Sequence, residues 1–317
     1  MTTRQANISR PKRKKRPRNP MYTRTPGDYV LDVIIYASLL ILVVVTLYPF
    51  VNIIAVSFND AMDSLTGGIT IFPRDFTVYN YQQVFNDASI VRATSVSIAR
   101  TLIGAFTTTA SCFMVAYALS RKEFVLRAPI LKLFVFTMYF SGGLIPYYLL
   151  MKSLGLIGSF WVYIFPSLVS AWNIMVMRSY IENSVPDSLI ESARIDGSSE
   201  FTTLVRIVLP LSIPIIATVL LWSAVGQWNS WFDAYLYNGN RADLSTLQFE
   251  LQKLLQRSMM TASDTNYGAG QYGGQRATTP QATRAAMTVV ATVPILIVYP
   301  FLQRYFVSGL TLGGVKG

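Results

Sequence analysis

The chain has 317 residues, of which 52% are hydrophobic and only 14% charged, with a mean hydropathy of +0.38. Soluble domains carry about a quarter charged residues, so this composition reads as an integral membrane protein. There is no histidine, and the one cysteine, Cys112, stands in an apolar run. That excludes a disulfide framework, His-based metal sites, Ser–His or Cys–His nucleophile pairs and the usual switch near neutral pH.

The net charge of +11 belongs to one segment. Nine of the 27 basic residues (Arg4, Arg10, Lys12, Arg13, Lys14, Lys15, Arg16, Arg18 and Arg24) fall in the first 24 positions, which hold no acid. The remainder carries 18 basic against 16 acidic residues. A tail this basic can bind nucleic acid, but it stands directly before an apolar run. Residues 1–28 therefore read as a disordered cytoplasmic tail that faces lipid headgroups and enforces the positive-inside rule. The apolar run is too long for a cleaved signal peptide.

A transmembrane helix takes roughly 20 apolar residues. Six windows meet or approach this without a charge: residues 33–59, 101–120, 133–151, 153–177, 207–232 and 285–303. Lys152 alone separates the third from the fourth, and Leu154-Gly155-Leu156-Ile157-Gly158-Ser159 supplies a turn between them. Six spans place both termini on one side, with a permease domain over 29–308 and a tail over 309–317. The first loop is mostly acidic (Asp60, Asp63, Asp75 and Asp87 against Arg74), as suits the outside. The second, from Arg121 to Arg127, is short and basic, as suits the inside. Residues 234–284 then fall outside as a long loop, whose glycine-rich stretch 266–274 reads as a flexible tip. Within the third window, Ser141-Gly142-Gly143-Leu144-Ile145-Pro146 predicts a kink at the outer end. The alternative is irregular backbone lining a water-filled path.

Between the fourth and fifth windows lies the most patterned stretch of the chain, VPDSLIESARIDGSSEFTTLVRIVLPLSIP. Pro186 suits a first helical turn and Asp187 complements the positive helix end. Leu189, Ile190 and Ala193 give one apolar face, and Asp196-Gly197 breaks the helix. A second short helix places Phe201, Leu204, Val205 and Val208 together, and Pro210 and Pro214 lead into the next span. From spacing alone this is an amphipathic helix lying on a membrane surface.

Motifs for chemistry are absent. No G-x-x-x-x-G-K-[ST], G-x-S-x-G or H-E-x-x-H is present, and no paired carboxylates lie inside a span. The nearest text to a phosphate loop, Gly313-Gly314-Val315-Lys316-Gly317, has no helix after it. Trp172 and Asn173 in the fourth window, with Trp222, Gln227, Trp228 and Asn229 in the fifth, are aromatic and amide groups of the kind that hold sugars. Tryptophan near a span end serves equally as an interface anchor.

Glu191-Ser192-Ala193, then Asp196-Gly197-Ser198, then Leu209-Pro210-Leu211 resemble the EAA loop of ATP-binding-cassette (ABC) importer permeases, with Ser192 and Ser198 in place of two alanines. Asn80-Tyr81, Ala116-Tyr117-Ala118-Leu119-Ser120-Arg121, Phe140–Pro146 and Val225–Phe232 look like carbohydrate-type permeases of that family, in particular the complex-oligosaccharide, alginate and pectin-fragment subgroup. The stretch from Gly309 to Gly317 resembles the tail of the maltose-type permease subunit. The resemblance implies an all-α, six-span, type I importer permease fold without catalytic activity. It implies a coupling loop over 184–210, in which Glu191, Ser192, Ala193, Asp196, Gly197 and Ser198 meet an ATPase subunit. It also implies a second permease, two ATPases holding ATP and Mg, and an extracellular solute-binding protein touched by Tyr267, Gly268, Gly270 and Tyr272. The substrate path falls to Asn173, Trp172, Gln227, Trp228 and Asn229. No cofactor and no nucleic acid are expected on this chain. A permease for another sugar-like solute, such as a monosaccharide or glycerol phosphate, is the alternative; an ion-coupled secondary transporter is a further one, and spans without charges argue against it.

Overall fold

The computed structural model describes residues 26–263 and 279–312. The basic tail, the glycine-rich tip with Tyr267, Gly268, Gly270 and Tyr272, and the last five residues lie outside the described residues. The chain divides into two units, Met1–Phe50 and Val51–Gly317. The described part of the first unit is most of helix α1 (Pro26–Ser57), long and apolar enough to cross a membrane. The hydroxyl of Thr46 returns to the carbonyl of Leu42 at 2.8 Å, which removes an unpaired polar group from an apolar helix.

The second unit continues with two short helices, α2 (Ala61–Leu65) and α3 (Tyr79–Asn86). The Asn59 side chain ties this segment together: it donates to Asp63 at 2.8 Å and accepts from the Arg74 amide at 2.7 Å. Next comes α4 (Ala88–Ser120), which runs its whole length without a break. Its N-cap is Asp87, whose carboxylate accepts from the Ser89 amide at 2.8 Å. The helix therefore starts well before residue 101 and carries Arg92 and Arg100 ahead of the apolar window; the Arg100 charge is compensated inside the fold by Asp233.

The remaining spans are mostly broken. Helix α5 (Arg127–Tyr139) and helix α6 (Leu144–Ser153) bend by 119° at Phe140–Gly143. The expected outer-end kink is thus a full break. Gly143 sits at φ +88°, which L side chains rarely adopt, and nothing carries the helix through it. Two 3₁₀ turns, Phe160–Tyr163 and Phe165–Ser167, precede α7 (Ala171–Ser184) at a 44° bend. Gly155 and Gly158, at φ +67° and +75°, form the expected turn before them. Then follow α8 (Asp187–Ile195) and α9 (Glu200–Thr203). A widened π-type turn, Leu204–Val208, leads to α10 (Leu209–Leu211). Helix α11 (Ile213–Asn229) leaves at 82° from that segment, with Pro214 in its first turn.

Helix α12 (Phe232–Asn238) and helix α13 (Leu247–Ser263) occupy much of what reads in sequence as an outer loop. The last helix, α14 (Pro280–Leu312), holds an apolar stretch over Pro280–Val298. Among the described residues no β-strand forms; Asn59 and Phe76 make one isolated bridge. Three of the described helices are long and apolar enough to cross a membrane, and counting each bent pair as one span brings the number to six.

The main core lies where α4, α7 and α11 meet. Ile174, Met177, Val208 and Val219 are fully enclosed there, together with Cys112 and Phe113 of α4. Ile190 of α8 reaches into the same cluster. Truncating Ile174, which has no exposed surface, to Ala leaves a void that these neighbours cannot fill. The expected cost is about 2–5 kcal/mol, read as a lowered unfolding midpoint in detergent. A change of the same size at exposed Leu133 is expected to leave the midpoint where it was.

Candidate functional site

Two places in the second unit carry the functional geometry. The first is α8. Its backbone starts after Pro186 in extended conformation and ends at Asp196, with Gly197 at φ +79°. Ile190 and Ala193 are buried, whereas Glu191, Ser192, Asp196 and Gly197 are exposed and Ser198 is half-buried. The apolar side of the next segment is split rather than shared: Leu204 and Val208 enter the core, while Phe201 is 70% exposed. Ile195, at the end of α8, is 87% exposed. One face of this helix is therefore seated in the bundle, and the opposite face presents acids beside uncovered apolar side chains.

Ion pairs brace both ends of α8 against the loop that follows α4. Lys122 bonds Asp187 at 2.9 Å. Arg194 reaches Glu123 at 3.1 Å and Glu200 at 2.7 Å, and Glu200 also accepts from the Tyr117 hydroxyl of α4 at 2.6 Å. The hydrogen bond from Lys122 holds the Asp187 carboxyl below its usual value, and the same contact raises the Lys122 ammonium. Single exposed pairs contribute little, but several sharing one loop fix an orientation.

The second place is a cavity of about 660 Å³. Its wall is built from α4 (Arg100, Thr108), the 3₁₀ turns (Tyr163, Ser167), the start of α7 (Ser170, Asn173), α11 (Gln227) and α12 (Asp233, Tyr237), with Tyr147 contributed by α6. Ser170 caps α7 by accepting from the Asn173 amide at 3.3 Å, and Asn173 lies on the cavity wall. Tyr148 and Tyr237 stack with ring centroids 5.9 Å apart. Hydroxyl, amide and aromatic side chains thus share one wall, the mixture suited to hydroxylated rings.

The residues singled out in sequence separate cleanly in space. Asn173 and Gln227 line the cavity, whereas Trp172, Trp228 and Asn229 do not. Trp172 is exposed. The Trp228 indole is buried and donates to the carbonyl of Ala291 at 2.8 Å, so it joins α11 to α14. Asn229 is exposed and accepts from Gln248 at 3.4 Å. The cavity thus takes two of the five residues, because neighbouring residues of a helix point in different directions. Arg100 and Asp233 line the cavity, and sequence reasoning misses both, because a charge reads as the end of a span. A lone arginine inside a stretch that continues apolar, with an aspartate in Trp231-Phe232-Asp233, is the available signal.

A bundle of broken apolar helices around a cavity of mixed polar and apolar wall, with a braced helix exposed at one end, is the architecture of a membrane transport component. Residues 21–312 match the family described as binding-protein-dependent transport system inner membrane component, and the chain belongs to that family. It is therefore a membrane permease subunit rather than an enzyme. The polygalacturonan/rhamnogalacturonan transport system permease protein YtcP of Bacillus subtilis is 36% identical over 91% of this chain and 99% of its own length. Protein LplC of the same organism is 39% identical over 86% of this chain and 90% of its own. Among solved structures, a chain of a bacterial ABC transporter involved in the import of the acidic polysaccharide alginate is 28% identical with a TM-score of 0.80. The match covers 91% of this chain and all of that one.

Two outcomes check this geometry. Gly197→Val strains a backbone that only glycine holds without cost, although nothing lies within 4 Å of the new Cβ. The expected loss is about 1–2 kcal/mol of local order, seen as faster amide exchange over α8 with α7 unchanged. The Lys122–Asp187 brace is set by a depressed acid and a raised base. Its contribution is complete above the usual Asp value of 3.8 and below the usual Lys value of 10.5. It is lost as pH falls through the depressed acid value or rises through the elevated base value. Protection of α8 is therefore expected to stay flat from about pH 5 to 9.

Proposed function

We propose that this chain is the permease subunit of an ABC importer that takes up an oligosaccharide delivered by an extracellular solute-binding protein. A second permease chain completes the pore, and ATP with Mg is hydrolysed on two partner subunits. The exposed, doubly braced α8 is the observation that carries this reading. A helix with its inner face locked in the core, its outer side offering Glu191, Ile195 and Asp196 beside Phe201 of α9, is built to be pushed by a docking protein. A short stiff element moves its attached spans as a body, where a floppy loop absorbs the motion.

In this arrangement Glu191, Ser192, Asp196, Gly197 and Ser198 form the joint with the ATPase, Ala193 seats that joint on the bundle, and both termini are cytoplasmic. The tail of residues 1–28 then lies on anionic headgroups. Tyr267, Gly268, Gly270 and Tyr272 face the binding protein outside. Two of the similar proteins serve polygalacturonan/rhamnogalacturonan transport and alginate import, and the cavity offers Asn173, Tyr147 and Tyr237 to hydroxyl groups. An oligosaccharide is therefore the substrate class, with Asn173 on its path.

The experiment is ATPase activity and sugar uptake by the assembled complex in proteoliposomes, with its binding protein and a mixture of oligogalacturonides as the probe. Glu191→Arg is expected to leave the complex assembled while binding-protein-stimulated ATPase falls by about tenfold or more. Asn173→Ala is expected to slow uptake and leave ATPase docking intact. Normal stimulation in Glu191→Arg would remove α8 from the coupling role.

A further inference from the structure

Arg100 is a cation on the cavity wall, and its geometry decides what that charge is for. Its side chain is 2% exposed. All five of its N–H groups are engaged. Nε and Nη2 donate to the Gln227 side-chain oxygen at 3.1 and 3.0 Å. Nη1 donates to the Ser230 carbonyl at 3.3 Å and to Asp233 Oδ1 at 3.1 Å, and Nη2 to Asp233 Oδ2 at 2.5 Å. The guanidinium lies 4.3 Å from the centroid of the Tyr163 ring. Gln227 spends its own amide hydrogens on the Tyr163 carbonyl at 3.2 Å and the Ser167 hydroxyl at 2.8 Å. Gly104, one turn along α4, is packed so closely that a Cβ there would stand 2.6 Å from Gln227 Nε2.

Apart from Gln227, each partner of Arg100 sits at a break in the backbone. Ser230 caps the end of α11, Asp233 is in the first turn of α12, and Tyr163 belongs to the 3₁₀ turns. An unbroken helix, α4, thus pins two interrupted segments with one side chain. A guanidinium with no donor to spare and a carboxylate already beside it is not a charge on offer to a substrate.

We propose that Arg100 is a positioning residue for translocation. It fixes the elbow between α11 and α12, and with it the cavity wall formed by Phe232, Leu236 and Tyr237, while Asp233 keeps that wall electrically neutral toward cargo. The inference rests on reading the cavity as the substrate path, and its test has a readout that needs no transport.

The test uses the full chain with its co-expressed partner subunits in lipid nanodiscs, in a Cys112→Ala background. Leu236→Cys is placed on the wall, and the rate at which a methanethiosulfonate labels the introduced thiol is measured. Removing one member of the pair strands the other charge, so the informative variant is the apolar double R100M/D233L, because paired replacement of a buried ion pair is commonly tolerated. The expected result is an assembled complex, its unfolding midpoint lowered because the Ser230 carbonyl and Gln227 Oε1 lose their donors, in which labelling at position 236 changes rate by roughly fivefold or more. Arg100→Lys keeps the charge but offers three donors, so it is expected to shift labelling in the same direction. If Arg100 served as a substrate-facing charge, the lysine would substitute and uptake of oligogalacturonides would persist. Labelling within twofold of the parent in R100M/D233L, or a double variant that cannot assemble, would overturn the positioning role. A parent in which the introduced thiol is never labelled would instead reject the cavity as a solute path.

Discussion

Lipid supplies no hydrogen bonds, so every interruption of a membrane helix has to find partners for its own backbone. That constraint organises this protein. Three of its apolar segments are broken, and polar side chains of α4 satisfy backbone groups at the break before α7 and at the elbow between α11 and α12. Thr108 donates to the Ser167 carbonyl at 2.9 Å, Ser111 donates to the carbonyl of Leu168, and Arg100 donates to the carbonyl of Ser230. Gln227 performs the same service for Tyr163 from α11. Arg100, Thr108 and Ser111 on α4 are thus explained by what their neighbours lack. The cavity lies beside those two places, with Ser167, Ser170 and Ser230 on its wall.

The α8 end of the bundle follows a different rule. Its charged side chains reach solvent, and orientation rather than backbone satisfaction is the problem. Lys122, Glu123, Tyr117 and Glu200 surround α8 with contacts that are individually weak but geometrically redundant. Ile190 supplies the apolar anchor. The helix is held by its seat and its two ends, and its outer face is left clear.

Much of this architecture was legible in the sequence, for identifiable reasons. The helical face of Ile190 and Ala193, the break at Asp196-Gly197 and the Gly155/Gly158 turn are set by local patterns over a few residues, and local patterns survive into the fold. The break in the third apolar window was announced by Gly142-Gly143 and Pro146, whereas the size of its bend and the bends in the fourth and fifth windows were not legible, because hydropathy reports composition and is blind to direction. The true start of α4 was hidden for a related reason. A buried arginine looks like a boundary until Asp233, 133 residues away, is brought beside it. The division of Gln227, Trp228 and Asn229 among cavity, core and surface is likewise a matter of helix rotation, which proximity in sequence cannot convey.

The continuity of α4 has a mechanical corollary. Tyr117 touches the braced loop and Arg100 grips the elbow on the cavity, 17 residues apart on one uninterrupted rod. At 1.5 Å per residue the lever arm is about 25 Å, so a tilt of about 5° displaces its far end by about 2 Å. Hydrogen bonds of the guanidinium lose their geometry over a smaller excursion than that. A slight rocking at the Tyr117 end is amplified enough to make or release a grip at the other.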